Sequence, residues 1–116
     1  MPKKNDRVAP PPPPSGWELR FGTKEAAEGW EQLVRSAPGN LWRAWEAITY
    51  NPESPTVPKR QHRLKGELRS RLVHGTNLEQ WQYEVTAGGR IWYCPDSDRR
   101  IVWITHASTA HPSKTE

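Results

Sequence analysis

Residues Glu79 to His111, EQWQYEVTAGGRIWYCPDSDRRIVWITHASTAH, set the architecture, because three alternating apolar runs are divided there by two turn signals. Trp81, Tyr83 and Val85 alternate with Gln82 and Glu84, and Ile91 and Tyr93 alternate with Arg90 and Trp92. A period of two marks half-buried strands. Ala87-Gly88-Gly89 supplies residues that tolerate positive φ, and Pro95-Asp96-Ser97-Asp98 closes a second hairpin. The stretch is expected to form an antiparallel meander. With Trp81, Tyr83, Val85, Ile91 and Tyr93 facing a core, Gln82, Glu84, Arg90 and Trp92 share the opposite face, where the chemistry is expected.

Upstream, Trp17-Glu18-Leu19-Arg20-Phe21 alternates in the same way and predicts a first strand. Thr23 before Lys24-Glu25-Ala26 has the form of an N-cap, with Glu25 where the helix dipole favours an acid. A helix to about Ser36 would put Ala26, Ala27, Trp30, Leu33 and Val34 on one side. Pro38-Gly39-Asn40 is expected to break it before a second helix from Leu41 to about Tyr50. Asn51 to Arg60, with three prolines, reads as an extended connection. Short extended pieces follow between His62 and Leu72, and Leu72 to Leu78 reads as a loop. Strand, helical hairpin, then three or four strands make an α+β layer with helices on one face of a mainly antiparallel sheet.

Residues 1–15 hold almost no apolar side chain apart from Val8, and Pro10 to Pro14 are consecutive prolines. Such a segment is expected to be a disordered, polyproline II tail, or a ligand for an SH3-like or WW-like groove. Residues 16–116 then form one domain of about 100 residues, with room for a single core. Trp17, Trp30, Trp45, Trp81 and Trp103 are expected to anchor that core. Trp42 and Trp92 fall off the apolar stripes and suit either a rim position or stacking on a base.

The single cysteine, Cys94, excludes an internal disulfide and a thiolate metal cluster. It suits packing on its strand better than nucleophilic work, having no histidine nearby in sequence. No run approaches the roughly 18 apolar residues of a membrane span, and the N-terminus lacks the apolar segment of a signal peptide. A cytoplasmic protein is expected. The four histidines show no ligand spacing on a helix, so neither metal nor cofactor is expected. The net charge of +4 is concentrated: between Lys59 and Arg71, the cations Lys59, Arg60, Arg63, Lys65, Arg69 and Arg71 meet one anion, Glu67. That density suits a polyanion, or a solvated strand whose charges prevent edge pairing.

Arg63-Leu64-Lys65-Gly66, then WQYEV, GGRIWY and RRIVWITHAS, then a basic, histidine-bearing C-terminus, resembles the RelE/ParE superfamily of bacterial toxins over roughly Trp17 to the end. Members are ribosome-dependent endoribonucleases or gyrase poisons, each paired with an antitoxin. The resemblance implies a RelE-like fold, an mRNA and ribosome target, and a cognate antitoxin partner. It also implies that Arg90 contacts the scissile phosphate and that His111, beyond the last strand, supplies acid or base function. The chain departs from RelE itself, which has lysines at the positions of Gln82 and Glu84 and a tyrosine in a C-terminal helix. Relatives that pair a carboxylate with a histidine, as YoeB does, are the closer chemical parallel.

Metal-free RNA cleavage needs a base for the 2′-hydroxyl, an acid for the departing 5′-oxygen, and cations where charge grows on phosphorus. Glu84 or His111 can be the base, and the other, or Lys114, the acid. Arg90 suits the phosphate, because its planar fork spans two oxygens and stays charged. Alternatively, Glu84 and Arg90 form only a cross-strand ion pair. Two rival functions stand beside the nuclease: a gyrase-directed toxin without nuclease chemistry, and a non-enzymatic RNA-binding or regulatory module.

Overall fold

The computed structural model describes residues 2–8 and 10–109. In chain order these form β1 (Glu18–Phe21), α1 (Lys24–Ser36), α2 (Pro38–Tyr50), β2 (Gln61–Arg63), a 3-10 turn (Gly66–Leu68), β3 (Ser70–Val73), β4 (Thr76–Glu79), β5 (Trp81–Glu84), β6 (Arg90–Asp96) and β7 (Ile101–Ser108). One sheet runs β1-β7-β6-β5-β2, and β3 and β4 make a separate hairpin. β1 lies parallel to β7, and the other neighbours in the sheet are antiparallel. The chain from β1 to β7 passes through both helices and β2 to β6, a connection long enough for a parallel pair. The α+β class and the meander agree with the sequence.

The expected core face is the observed one. Trp81, Tyr83, Val85, Ile91 and Tyr93 join Leu19, Phe21, Val102, Ile104 and the inner residues of both helices in one cluster. Thr23 caps α1, its hydroxyl accepting from the Ala26 amide at 2.9 Å. Ala26, Ala27 and Gly29 are buried on that helix. At Gly29 a Cβ would lie 1.8 Å from the carbonyl oxygen of Ala107, so α1 rests directly on β7. The five tryptophans expected inside are all buried. The Tyr93 hydroxyl ties the proline-rich connection to the sheet, donating to the Pro52 carbonyl at 2.7 Å and accepting from the Gln61 amide at 3.0 Å. Cys94 is fully covered, and burial pushes its thiol up to about 12, which leaves it a packing residue.

Three expectations need correcting. Pro38-Gly39-Asn40 does not break the helices; it is the first turn of α2, where proline's missing N–H costs nothing, and the break narrows to Ala37. Leu72 to Leu78 is not a loop but the turn and flanks of the β3–β4 hairpin. His74 (φ 48°) and Gly75 (φ 80°) adopt the left-handed conformations of a tight two-residue turn. Val73 and Leu78 of that hairpin pack on Cys94 and Trp103, so the second face of the sheet is partly covered.

The third correction concerns the N-terminal segment. The Asn5 amide donates to the Phe21 carbonyl (2.7 Å), Val8 to Leu19 (2.8 Å), and Phe21 to Asp6 (3.0 Å). Val8 is only 1% exposed and belongs to the main core. β1 is an edge strand with one row of backbone groups to satisfy. Composition cannot show that a single valine fills a gap there.

Candidate nucleic-acid interface

Gln80, between β4 and β5, builds the site's framework. Its carbonyl accepts from the Leu64 amide, its amide donates to the Arg69 carbonyl, and its side-chain nitrogen donates to the Leu68 carbonyl, each at 2.9 Å. Its side-chain oxygen accepts from the Thr105 hydroxyl. The basic segment Leu64 to Arg69 is thereby stitched to the sheet. Gln80 is 2% exposed, and the sequence carries no signal for it beyond its place before the first meander strand. Gln80→Ala leaves buried polar partners unsatisfied, which costs about 1 to 3 kcal/mol. We expect a correspondingly lower melting temperature, which thermal melts of the variant check.

A groove lies on each side of that segment, with Arg63, Leu64 and Lys65 common to both. One, of about 550 Å³, adds Gly66, Arg69, Ser70, Asn77 and Glu79. The other, of about 420 Å³, adds His62, Leu68, Gln82 and Arg90. Arg90 opens β6, opposite Glu84 on β5 and Ser108 on β7. It is 8% exposed, not the open surface residue that alternation suggested, and its buried Nε has no hydrogen-bond partner among the described residues. None of the ion pairs among the described residues includes it, so facing Glu84 across the ladder does not produce the alternative cross-strand pair. Among the described residues no anion offsets the burial of this guanidinium, whose planar fork is suited to two oxygens of one anion.

Trp92 is not available to stack on a base. It is buried, its indole N–H donates to the Gln82 side-chain oxygen at 2.9 Å, and its ring lies 4.6 Å from that of His106. The cause is tertiary: β4 packs against β6 on this face. Burial first, and then the charge of Arg71, holds the His106 imidazole below its ordinary range. Its folded pKa is therefore depressed relative to the unfolded chain, so below the ordinary value of 6.5 the unfolded state binds the extra proton. Stability from His106 is complete above that pH and is lost as the pH falls. We expect His106→Leu to flatten the acid side of the melting-temperature profile between pH 7 and pH 5, measured against the wild type.

The six cations do not act as one patch. Lys65 and Arg69 are exposed in the grooves, and Arg63 is partly neutralised by its ion pair with Glu79. Lys59 and Arg60 are exposed ahead of β2 and line neither groove; Arg60 serves through its carbonyl, which accepts from the Glu84 amide at 2.7 Å. Arg71 lines a different cavity of about 290 Å³ with Lys4, Thr23 and His74. The grooves also contain His62, whose Nδ1 lies 3.0 Å from the Pro58 carbonyl. Glu84 is half-buried beside them on β5. His111 and Lys114 lie outside the described residues.

Among the described residues, no group of three or more His, Cys, Asp and Glu side chains is placed to hold a metal ion. Nor, among them, is any helix long and apolar enough to cross a membrane. Comparison with models of known families, with curated proteins and with solved structures finds no match.

Proposed function

We propose that the protein is a toxin of the RelE/ParE kind that acts on RNA, cleaving mRNA on the ribosome in the cytoplasm and restrained by a cognate antitoxin. The observation that carries this is Arg90: a cation 8% exposed, without an ion-pair partner among the described residues, in a groove that also holds Arg63, Lys65 and His62. The order of elements, one strand, two helices and then a meander, is that of the resemblance and supports the same reading.

In this proposal the RNA backbone follows the Arg63–Gly66 segment, and Arg90 takes the scissile phosphate. Glu84 or His111 removes the 2′-hydroxyl proton, and the 2′-oxygen attacks phosphorus as the bond to the 5′-oxygen breaks. The other of the pair, or Lys114, protonates the departing oxygen. A 2′,3′-cyclic phosphate and a 5′-hydroxyl are left. The cations act where charge accumulates on the phosphoryl oxygens, and in a water-poor groove such electrostatic stabilisation usually contributes most to the rate.

One observation favours a second reading, RNA binding without cleavage. Among the described residues lining the Arg90 groove, His62 is the one imidazole, and its Nδ1 is engaged by the Pro58 carbonyl at 3.0 Å, so the described groove offers many cations and little acid-base machinery. Single-turnover reactions on mRNA bound to 70S ribosomes separate the two. The nuclease reading expects a discrete cut with a cyclic-phosphate end, abolished by 2′-deoxy substitution at that nucleotide and by the double substitution Glu84→Gln, His111→Ala, which removes the base in either assignment. Tight binding with intact mRNA identifies the binding module instead.

A further inference from the structure

We propose that the outer edge of β1 and the aromatic groove beside α1 and α2 form one peptide-binding surface. Its resident occupant is the chain's own Asn5 to Val8 together with Pro10, and it accepts a partner's extended segment bearing an aliphatic residue two places before a proline. The seated segment shows the chemistry. Three main-chain hydrogen bonds join Asn5, Asp6 and Val8 to Leu19 and Phe21, which is strand addition to a sheet edge and is indifferent to side-chain identity. Selectivity comes from two places. Val8 is 1% exposed in the core, and Pro10 lines a cavity of about 150 Å³ with Trp30, Val34, Pro38, Leu41, Trp42 and Trp45. Aromatic-lined grooves take proline well, because a polyproline II chain arrives already ordered.

The occupant is lightly held and leaves part of the groove open. Lys3, Lys4, Asn5, Asp6 and Arg7 are exposed, so within Lys3–Val8 only Val8 is buried. Its polar side-chain contacts are at the surface, among them Arg7 Nε to Glu18 at 3.3 Å and Asn5 Oδ1 to His74 at 3.0 Å. Trp42 and Val34 remain 49% and 41% exposed with Pro10 beside them. Few buried contacts mark a segment that opens without global unfolding. The chain turns back into β1 through the bond from the Gly16 amide to the Pro13 carbonyl at 2.8 Å. A connection this short keeps the resident segment at an effective concentration on the order of mM, so a free peptide competes poorly until the resident is disabled.

The test uses the full chain and a fluorescent synthetic peptide of residues 2–15. Val8→Asp in the protein evicts the resident, and the variant is expected to bind the wild-type peptide at least tenfold more tightly than the wild-type protein does. A peptide carrying Val8→Asp should bind neither. A folded Val8→Asp protein that binds the wild-type peptide no better than the wild-type protein does overturns the proposal. Should that variant fail to fold, hydrogen exchange on the wild-type protein decides. The Asn5 and Val8 amides are expected to exchange at least tenfold faster than those of β6 and β7, through local opening, whereas equal rates show the segment to be a fixed part of the core and end the proposal.

Discussion

Arg90→Met should lower RNA cleavage by roughly 10² or more while leaving the melting temperature unchanged or raised. The two halves of that expectation come from the same fact. A guanidinium 8% exposed, whose Nε has no hydrogen-bond partner and which meets no anion among the described residues, costs the fold desolvation that those residues do not offset. Replacing buried charge by apolar side chains of similar volume is neutral or stabilising, by about 1 to 4 kcal/mol where it has been examined for ion pairs. In the proposed function that cost is offset by the ligand, since removing a fixed cation from a developing phosphorane removes about 3 kcal/mol of transition-state stabilisation. Arg90→Lys should restore little, because one ammonium cannot span two phosphate oxygens. Paired melting and single-turnover measurements check both halves. A large fall in melting temperature with Arg90→Met would show that the residue is structural.

Gly29→Ala should be strongly destabilising, in the direction opposite to helix propensity. In a free helix, alanine would be better than glycine by about 1 kcal/mol. Here the new Cβ would meet the Ala107 carbonyl oxygen at 1.8 Å and its carbon at 2.5 Å, both backbone atoms of β7, which cannot rotate away. α1 must lift from the sheet, taking Ala26, Trp30 and Leu33 with it. Overpacking of this kind costs about 3 kcal/mol or more, which for a domain this size lowers the melting temperature on the order of 10 °C or more. Thermal unfolding followed by circular dichroism reads it directly; an unchanged or raised midpoint would contradict the close packing of α1 on β7.

What is legible in the sequence is whatever repeats with a period. Trp81, Tyr83, Val85, Ile91 and Tyr93 alternate, so their common face follows from geometry. Thr23 and Glu25 announce the start of α1 through local backbone chemistry. What covers the other face of the sheet is a tertiary matter. The β3–β4 hairpin leaves little trace in the sequence because its turn is His74-Gly75 instead of an asparagine-glycine pair, and because, of the adjacent apolar residues Leu72 and Val73, the first is 70% exposed and the second 7%. That hairpin buries part of the face on which Trp92 was expected to be open. Alternation and resemblance both single out Arg90, but neither gives its burial, since alternation assigns a face and says nothing of depth. Gly29 reads as a weak point in a helix until β7 is seen beneath it. Gln80 and Val8 are single residues whose importance depends on partners distant in sequence.

Whether the Arg90 guanidinium binds the RNA backbone can be read at the atom concerned. The Nε–H resonance of Arg90 is followed by nitrogen-15 NMR during titration with an uncleavable 2′-deoxy-substituted RNA. We expect that resonance to move downfield and its exchange with water to slow as a charge-assisted hydrogen bond to phosphate forms, with the shift reversed by added salt as the backbone contacts weaken. Saturating RNA binding with the Arg90 Nε–H unmoved would contradict the proposed role.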